Sequence, residues 1–335
     1  MTETIEKRAH FDVIDGWRGI SILLVLAAHF LPLGPKAWRA NDAAGVLGMA
    51  LFFTLSGFLI TGFLLRHSSV LDFLMRRIFR IVPLAWLCLT IALAYIGADG
   101  SVYPAHYLFY GNLPPFWLTG ITAHFWSLCV EMQFYAFVAL LFGAFGARGL
   151  RLLLPICIAV TGYRFANGAT VSIVTWLRID EILVGCILAL ALFGQLGPRP
   201  VAALRRLNPY FILAMLLVAS HPGGSFMNYL RPYLAATLVG VTLVNGDRLM
   251  GHFLLLKPLK YIAEISYALY VIHPLVGATW LGTGMGWEKY AKRPLLFAAV
   301  LCLAHVSTFK FERPCIEFGK RLSAKLRSAK RELQQ

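Results

Sequence analysis

Four places in the sequence set ionisable side chains among strongly apolar neighbours, where a charge is costly enough that its presence points to function. The first is DGWRGISILLVLAAHF, in which Arg18 and His29 are eleven residues apart. On a helix that spacing puts them about 20° from one face and about 16 Å apart along the axis. A cation at the inner mouth and a titratable imidazole deeper in could hold a polyanionic donor and offer a base to its reactive end. The pair also fits a plainer reading, in which Arg18 reaches lipid headgroups and His29 caps the outer helix end.

The second place is AHFWSLCVEMQFY, where His124 and Glu131 lie seven apart and are predicted on one helical face. A carboxylic acid flanked by apolar residues either keeps its proton or pairs with a cation or imidazole, and both states suit acid–base chemistry. A neutral Glu131 tying two helices by a hydrogen bond is the bland alternative. The third is DFLMRRIFRIVP, read as an inner loop whose Arg77 and Arg80 share a face leading into Pro83. Such a pair can chelate phosphate oxygens, although arginines gather on the cytoplasmic side for reasons of insertion alone. The fourth is ISYALYVIHP, with Ser266, Tyr270 and His273 on a narrow stripe ahead of Pro274. His273 fits a buried, satisfied histidine as well as a participant.

The elements that carry these residues must be membrane helices. Of the 335 residues 59% are hydrophobic and 14% charged, against about 25% charged in an average soluble domain. Apolar runs recur at 16–33, 45–65, 81–97, 126–146, 150–162, 171–194, 209–220, 233–245, 261–281 and 294–309. We therefore expect an all-α, polytopic membrane helix bundle with about ten transmembrane helices and both termini cytoplasmic. With that topology 22 of the 31 Lys and Arg residues fall inside, among them Lys7, Arg8, Arg248 and eight in the tail from Lys310 to Arg331, and seven fall outside. This bias accounts for the net charge of +15 without a nucleic-acid partner. The first run reads as an anchor rather than a cleaved signal peptide. The outer loop 98–123 has no Lys or Arg and carries Tyr103, Tyr107, Tyr110, Phe116 and Trp117, an interfacial belt or a sugar-facing platform. Residues 1–310 are expected to form one transmembrane catalytic domain. The basic stretch 311–335 is expected as a cytoplasmic tail helix with Ile316, Leu322 and Leu326 available to a membrane surface.

Several chemistries lose support. The six cysteines fall in or beside apolar segments with no C-x-x-C pair, so they read as core residues and no metal site is expected. Gly-x-Ser-x-Gly, Walker-type, His-Glu-x-x-His and Rossmann patterns do not occur. Ser56-Gly57 in LFFTLSGFLITGFLL reads as a small pair that lets helices approach closely.

Taken in order, these motifs resemble the acyltransferase-3 family of bacterial membrane O-acyltransferases, which modify sugars of surface polysaccharides, lipopolysaccharide, exopolysaccharide, Nod factors and some macrolides. The likeness covers nearly the whole chain. It rests on Asp15-Gly16-Trp17-Arg18-Gly19 with His29; the Phe52-Phe53-Thr54-Leu55-Ser56-Gly57-Phe58 run; Arg77-x-x-Arg80; Trp126-Ser127-Leu128-Cys129-Val130-Glu131; the run at 266–273; and Glu312-Arg313-Pro314. Two positions depart from the family pattern: Met132 where a second carboxylate is usual, and Ala50 where an acidic residue often precedes the Phe pair. Neither touches Arg18 or His29, so both are expected to bear on the acceptor or the subfamily rather than on whether acyl transfer occurs.

The resemblance implies no bound cofactor and an acyl-CoA co-substrate, acetyl-CoA foremost, entering from the cytoplasm. It implies Arg18, Arg77 and Arg80 near the donor's phosphates, His29 as catalytic base or acyl carrier, and Glu131 as the residue orienting it. Asp15, Ser56, His124, Trp126, Ser127, Tyr270, His273 and Arg313 are expected to bind substrate or support the site. The expected reaction is O-acyl transfer to a sugar hydroxyl of a cell-surface polysaccharide, lipopolysaccharide, exopolysaccharide or lipo-oligosaccharide, at the bacterial inner membrane, by a stand-alone form without an appended esterase-like domain. The partners are then the acyl-CoA donor, a glycan or glycolipid acceptor and the bilayer. A proton-coupled transporter or flippase for a glycolipid or small sugar is the alternative; it lacks the expected repeat between halves.

Overall fold

A computed structural model describes residues 2–67, 69–245 and 249–332, with 2–11 and 327–332 as backbone only. The side chains of Lys7 and Arg8, residue Arg248 and the end of the tail thus lie outside the described residues. Among those described, the chain is helical with no strand. In order come α1 (Thr2–Phe30), α2 (Ala40–His67), α3 (Val70–Tyr95), α4 (Tyr103–Tyr107) and α5 (Trp126–Gly149). Beyond them lie α6 (Leu153–Ala166), α7 (Asp180–Leu192), α8 (Arg199–Arg206), α9 (Pro209–Ser220), α10 (Met227–Val244) and α11 (Leu249–Leu254). Last are α12 (Lys257–Glu264), α13 (Ser266–Gly277), α14 (Gly286–Ala291), α15 (Arg293–Val306) and α16 (Arg313–Glu332).

Each predicted apolar run overlaps a helix, but not over its whole length: 171–179 is bends and a 3-10 turn at Thr175–Leu177, and α7 begins only at Asp180. Among the described residues, five stretches are long and apolar enough to cross a membrane: Asp12–Phe30, Lys36–His67, Val70–Tyr95, Gly120–Ala166 and Gly286–Leu326. The pair α8 and α9, bent by 91°, makes a sixth if taken as one broken span. At 13 and 12 residues, α7 and α9 are shorter than the roughly 20 residues a straight span needs.

The chain divides into two compact units, each discontinuous in sequence: residues 1–62 with 148–270, and residues 63–147 with 271–335. In the first unit, α1 packs on α10, α11 and α12, while α7 and α9 pack on α10. Trp17 on α1 donates its indole N–H to Thr242 Oγ1 on α10 at 2.9 Å, satisfying the one polar atom of a buried ring. The Ser56-Gly57 pair acts as expected: a Cβ at Gly57 would stand 2.0 Å from the Ile182 carbonyl oxygen, so α2 and α7 touch backbone to backbone. The unit also buries an ion network that the sequence did not reveal. Arg164 pairs with Asp180, while Arg178 and Arg231 pair with Glu181 at 3.0 and 2.9 Å; no side chain among them is more than 1% exposed. Charges taken fully out of water must be paired in this way.

In the second unit, α16 packs along α3. Here two expectations are corrected. The segment DFLMRRIFRIVP is not a loop, because α3 begins at Val70 and runs through Pro83. Ser69 caps its start by accepting the Asp72 N–H at 3.2 Å, and an acidic first turn suits the helix dipole. The stretch 98–123 is not wholly loop either. It contains α4 and 3-10 turns at Gly100–Val102 and Gly120–Phe125. His106 bridges the Val102 carbonyl and the Thr122 hydroxyl, and Gln133 Nε2 donates to the Phe109 carbonyl and to Asn112 Oδ1. These bonds satisfy polar groups that an irregular segment would otherwise leave buried and unpaired.

Candidate functional site

Of the expected site residues, Asp15, Arg18, His29, Ser56 and Tyr270 belong to the first unit. Arg77, Arg80, His124, Trp126, Ser127, Glu131, His273 and Arg313 belong to the second.

In the first unit the two glycines of DGWRG decide where Arg18 sits. A Cβ at Gly16 would stand 2.2 Å from the Leu254 carbonyl oxygen, and one at Gly19 2.6 Å from that of Leu259. With nothing larger than hydrogen there, α1 lies directly against the backbone at Leu254 and on α12, and its Arg18 reaches the start of α13. Arg18 Nη1 donates to Asp15 Oδ1 at 3.1 Å and Nη2 to Ser266 Oγ at 3.2 Å, and Ser266 Oγ in turn donates to the Ala263 carbonyl. The guanidinium is thus held at both ends with its side chain 21% exposed, a preorganised cation that remains reachable. One carboxylate and two hydrogen bonds leave further N–H donors in Arg18's fork for an anion.

His29 occupies the last turn of α1 and is exposed. Its ring hydrogen-bonds the Val25 backbone one turn back. A ring nitrogen engaged with the backbone orients the imidazole on the last turn of α1. Tyr270, buried on α13, stacks on Phe52 with ring centroids 6.1 Å apart, joining the Phe-Phe motif to the 266–273 motif. Ser56 is buried.

In the second unit Glu131 is 5% exposed on α5. Tyr135, one turn on, donates its hydroxyl to Glu131 Oε1 in a short hydrogen bond. The Arg77 guanidinium stands 5.5 Å from the centroid of the Tyr135 ring. Arg77, Tyr135 and Glu131 therefore form one connected line, a cation over an aromatic face whose hydroxyl binds the carboxylate. Arg80 interacts electrostatically with Glu312, which is buried and accepts from Thr308 Oγ1 at 3.0 Å. Arg313 stacks on the Phe309 ring at 4.1 Å. Ser127 is fully buried and Trp126 half-buried at the start of α5.

His124 is a further correction. It does not share an α-helical face with Glu131, because Gly120–Phe125 is a 3-10 turn and α5 begins only at Trp126. A tighter turn advances the chain by three residues rather than 3.6, so the seven-residue phase is lost. The cause is the reciprocal capping of Thr119 and Thr122, which closes the turn before α5 starts. His124 instead hydrogen-bonds the Ile121 carbonyl through Nδ1 at 3.1 Å and meets the ring of His273 edge to face at 5.8 Å. Two candidate histidines are thereby brought together.

Two residues of the second unit were not singled out in advance: Tyr135, a phenol one turn from Glu131, and Asp72, wholly buried on the arginine helix. Each left a sequence signal, an i,i+4 pair on one face and a Ser-x-x-Asp start ahead of an apolar run.

Residues 11–309 match the family described as Acyltransferase domain, Acyl_transf_3. Among curated proteins, the chain is 25% identical to the peptidoglycan O-acetyltransferase OatA of Listeria monocytogenes, over 93% of this chain and 57% of that one. It is 25% identical to the O-acetyltransferase OatA of Staphylococcus aureus over 78% of this chain and 49% of that one. For the putative peptidoglycan O-acetyltransferase YrhL of Bacillus subtilis the figures are 25%, 78% and 47%. The chain spans about half the length of the curated relatives it matches. No solved structure matches it significantly. With the match running from α1 to the approach of α16 and covering every motif but the last, the chain belongs to the acyltransferase-3 family.

Proposed function

We propose that the chain is a membrane O-acetyltransferase that moves an acetyl group from cytoplasmic acetyl-CoA to a hydroxyl of a cell-surface glycan. Relatives named as O-acetyltransferases, two of them for peptidoglycan, support the reaction class and make a peptidoglycan-like sugar the first acceptor to try. The observation that carries the reading is on α1. There Arg18 is a clamped but reachable cation, and an exposed imidazole lies on the same helix with one ring nitrogen committed to Val25.

In this reading the cations of α1 and α3, Arg18 with Arg77 and Arg80, bind donor phosphates within their own units. His29 takes the proton from the acceptor hydroxyl as its oxygen attacks the thioester carbonyl. The C–O bond forms, the C–S bond breaks, and the CoA thiolate leaves and is protonated. In the two-step form His29 itself takes the acetyl group and passes it on. Glu131, held by Tyr135, is the carboxylate of the catalytic set. The proposed setting is an inner membrane crossed about ten times, with both termini cytoplasmic.

The test is transfer of radiolabel from acetyl-CoA to glycan in membranes bearing wild type, His29→Ala or Arg18→Ala. Label present in wild type and lost in both variants at equal protein level is expected. Full labelling in His29→Ala removes that residue from the mechanism, and proton-coupled glycolipid movement without labelling replaces the reading with a transporter.

A further inference from the structure

We infer that α16 is a brace that holds the arginine-bearing stretch of α3 in register, with Ser323, Gly319 and Asp72 as positioning residues for donor binding. The inference rests on the reading of Arg77 and Arg80 as cations for the donor.

Contacts between the two helices run in opposite directions along the chain. Glu312, just ahead of α16, interacts with Arg80. Phe318 packs on Phe79 with ring centroids 5.4 Å apart, and Ser323 Oγ donates to Asp72 Oδ1 at 2.7 Å. On α3 these contacts bracket Asp72 to Arg80, the stretch that carries Arg76, Arg77 and Arg80.

Two features show that the fit is specific rather than a basic tail resting on the nearest surface. Gly319 is buried against Phe79, where a Cβ would stand 2.6 Å from Phe79 Cβ and 2.7 Å from Cγ. Any side chain there forces Phe79 or α16 to shift. Asp72 is 0% exposed, and a single oxygen accepts both Ser323 Oγ and Arg76 Nε, the latter at 3.0 Å. A buried carboxylate fixes its donors in place, because losing either leaves charge poorly paired.

The entry to α16 is also specialised. Ser307–Glu312 is π-helical, which inserts extra backbone and resets the phase of the helix beyond it. It leaves Glu312 buried beside Arg80 rather than facing out. Because α3 is a continuous helix, a small rotation on release at Asp72 or Phe79 also displaces Arg77 from Tyr135 and Arg80 from Glu312.

The test uses full-length protein in membranes, with acetyl-CoA as the varied substrate and rates normalised to folded protein. Ser323→Ala and Gly319→Leu are each expected to raise KM for acetyl-CoA about tenfold with kcat within about twofold, the scale of one charge-assisted hydrogen bond. Ser323→Thr keeps the hydroxyl and restores the wild-type KM. In an Arg77→Ala/Arg80→Ala background, Ser323→Ala adds nothing further to the KM. A merely structural role predicts less folded protein with KM unchanged, and that result overturns the brace. Should Gly319→Leu fail to accumulate, the milder Ser323→Ala decides alone. Wild type with no affinity for acetyl-CoA defeats the donor reading and the brace together; wild type with normal affinity and unshifted variants defeats the brace alone.

Discussion

Taking the imidazole from residue 29 removes a group that contributes about 10²- to 10⁴-fold when it acts as a positioned base. His29→Ala is accordingly expected to lower kcat by that factor, with membrane-inserted protein unchanged on an immunoblot. Arg18→Lys tests something subtler. It keeps the charge but cannot bond Asp15 and Ser266 at once from a rigid fork, so KM for the donor should rise more than kcat falls. Tyr135→Phe deletes the hydroxyl that binds Glu131 and should cost about 1–3 kcal/mol of stability, read as a lower midpoint of thermal unfolding in detergent. Arg18, His29, Glu131 and the Arg77/Arg80 pair were legible in the sequence because ionisable groups stand out in apolar runs. Ser266 was noticed on its stripe but not as the partner of Arg18, which lies 248 residues away, and Tyr135 passed unnoticed among the aromatic residues of a membrane helix. His124 was legible as a candidate and illegible in its phase, because a 3-10 turn leaves no hydrophobic period to read.

Among the elements, α2 and α7 are the sharpest test of packing. Gly57→Leu would drive a side chain into the Ile182 backbone, which cannot move aside as a flexible side chain can. A loss of about 3 kcal/mol or more is expected, seen as little folded protein by size exclusion, whereas Ser56→Ala should be tolerated. The positions of the helices were readable from apolar runs, but their ends were not. Arg76, Arg77 and Arg80 interrupt the hydropathy of α3, so its first three turns looked like loop, although Ser69 and Asp72 supply the start signal. The packing of α16 on α3 was equally hidden. Beside Phe318, its contacts come from a glycine and a serine, neither of which marks an apolar stripe.

At the scale of the whole molecule, the proposed topology predicts opposite labelling at two exposed positions. Leu108→Cys, at a site 69% exposed, should react with an impermeant thiol reagent from outside intact cells, and Lys325→Cys only after the membrane is opened. Labelling of both from one side would overturn the topology. The buried ion network of the first unit bears on how such a chain is made at all. Its charges sit at helix ends, with Arg164 in the last turn of α6, Asp180 and Glu181 opening α7 and Arg231 early in α10, and any of them buried without its partner is costly. Glu181 finds Arg231 only fifty residues later, after α7, α8 and α9 have been synthesised. The helices from α6 to α10 are therefore poor candidates for release into lipid one at a time. They should wait together at the insertion machinery until Arg231 emerges, so nascent chains cut short before that residue should stay extractable and be degraded, and chains extended past it should not.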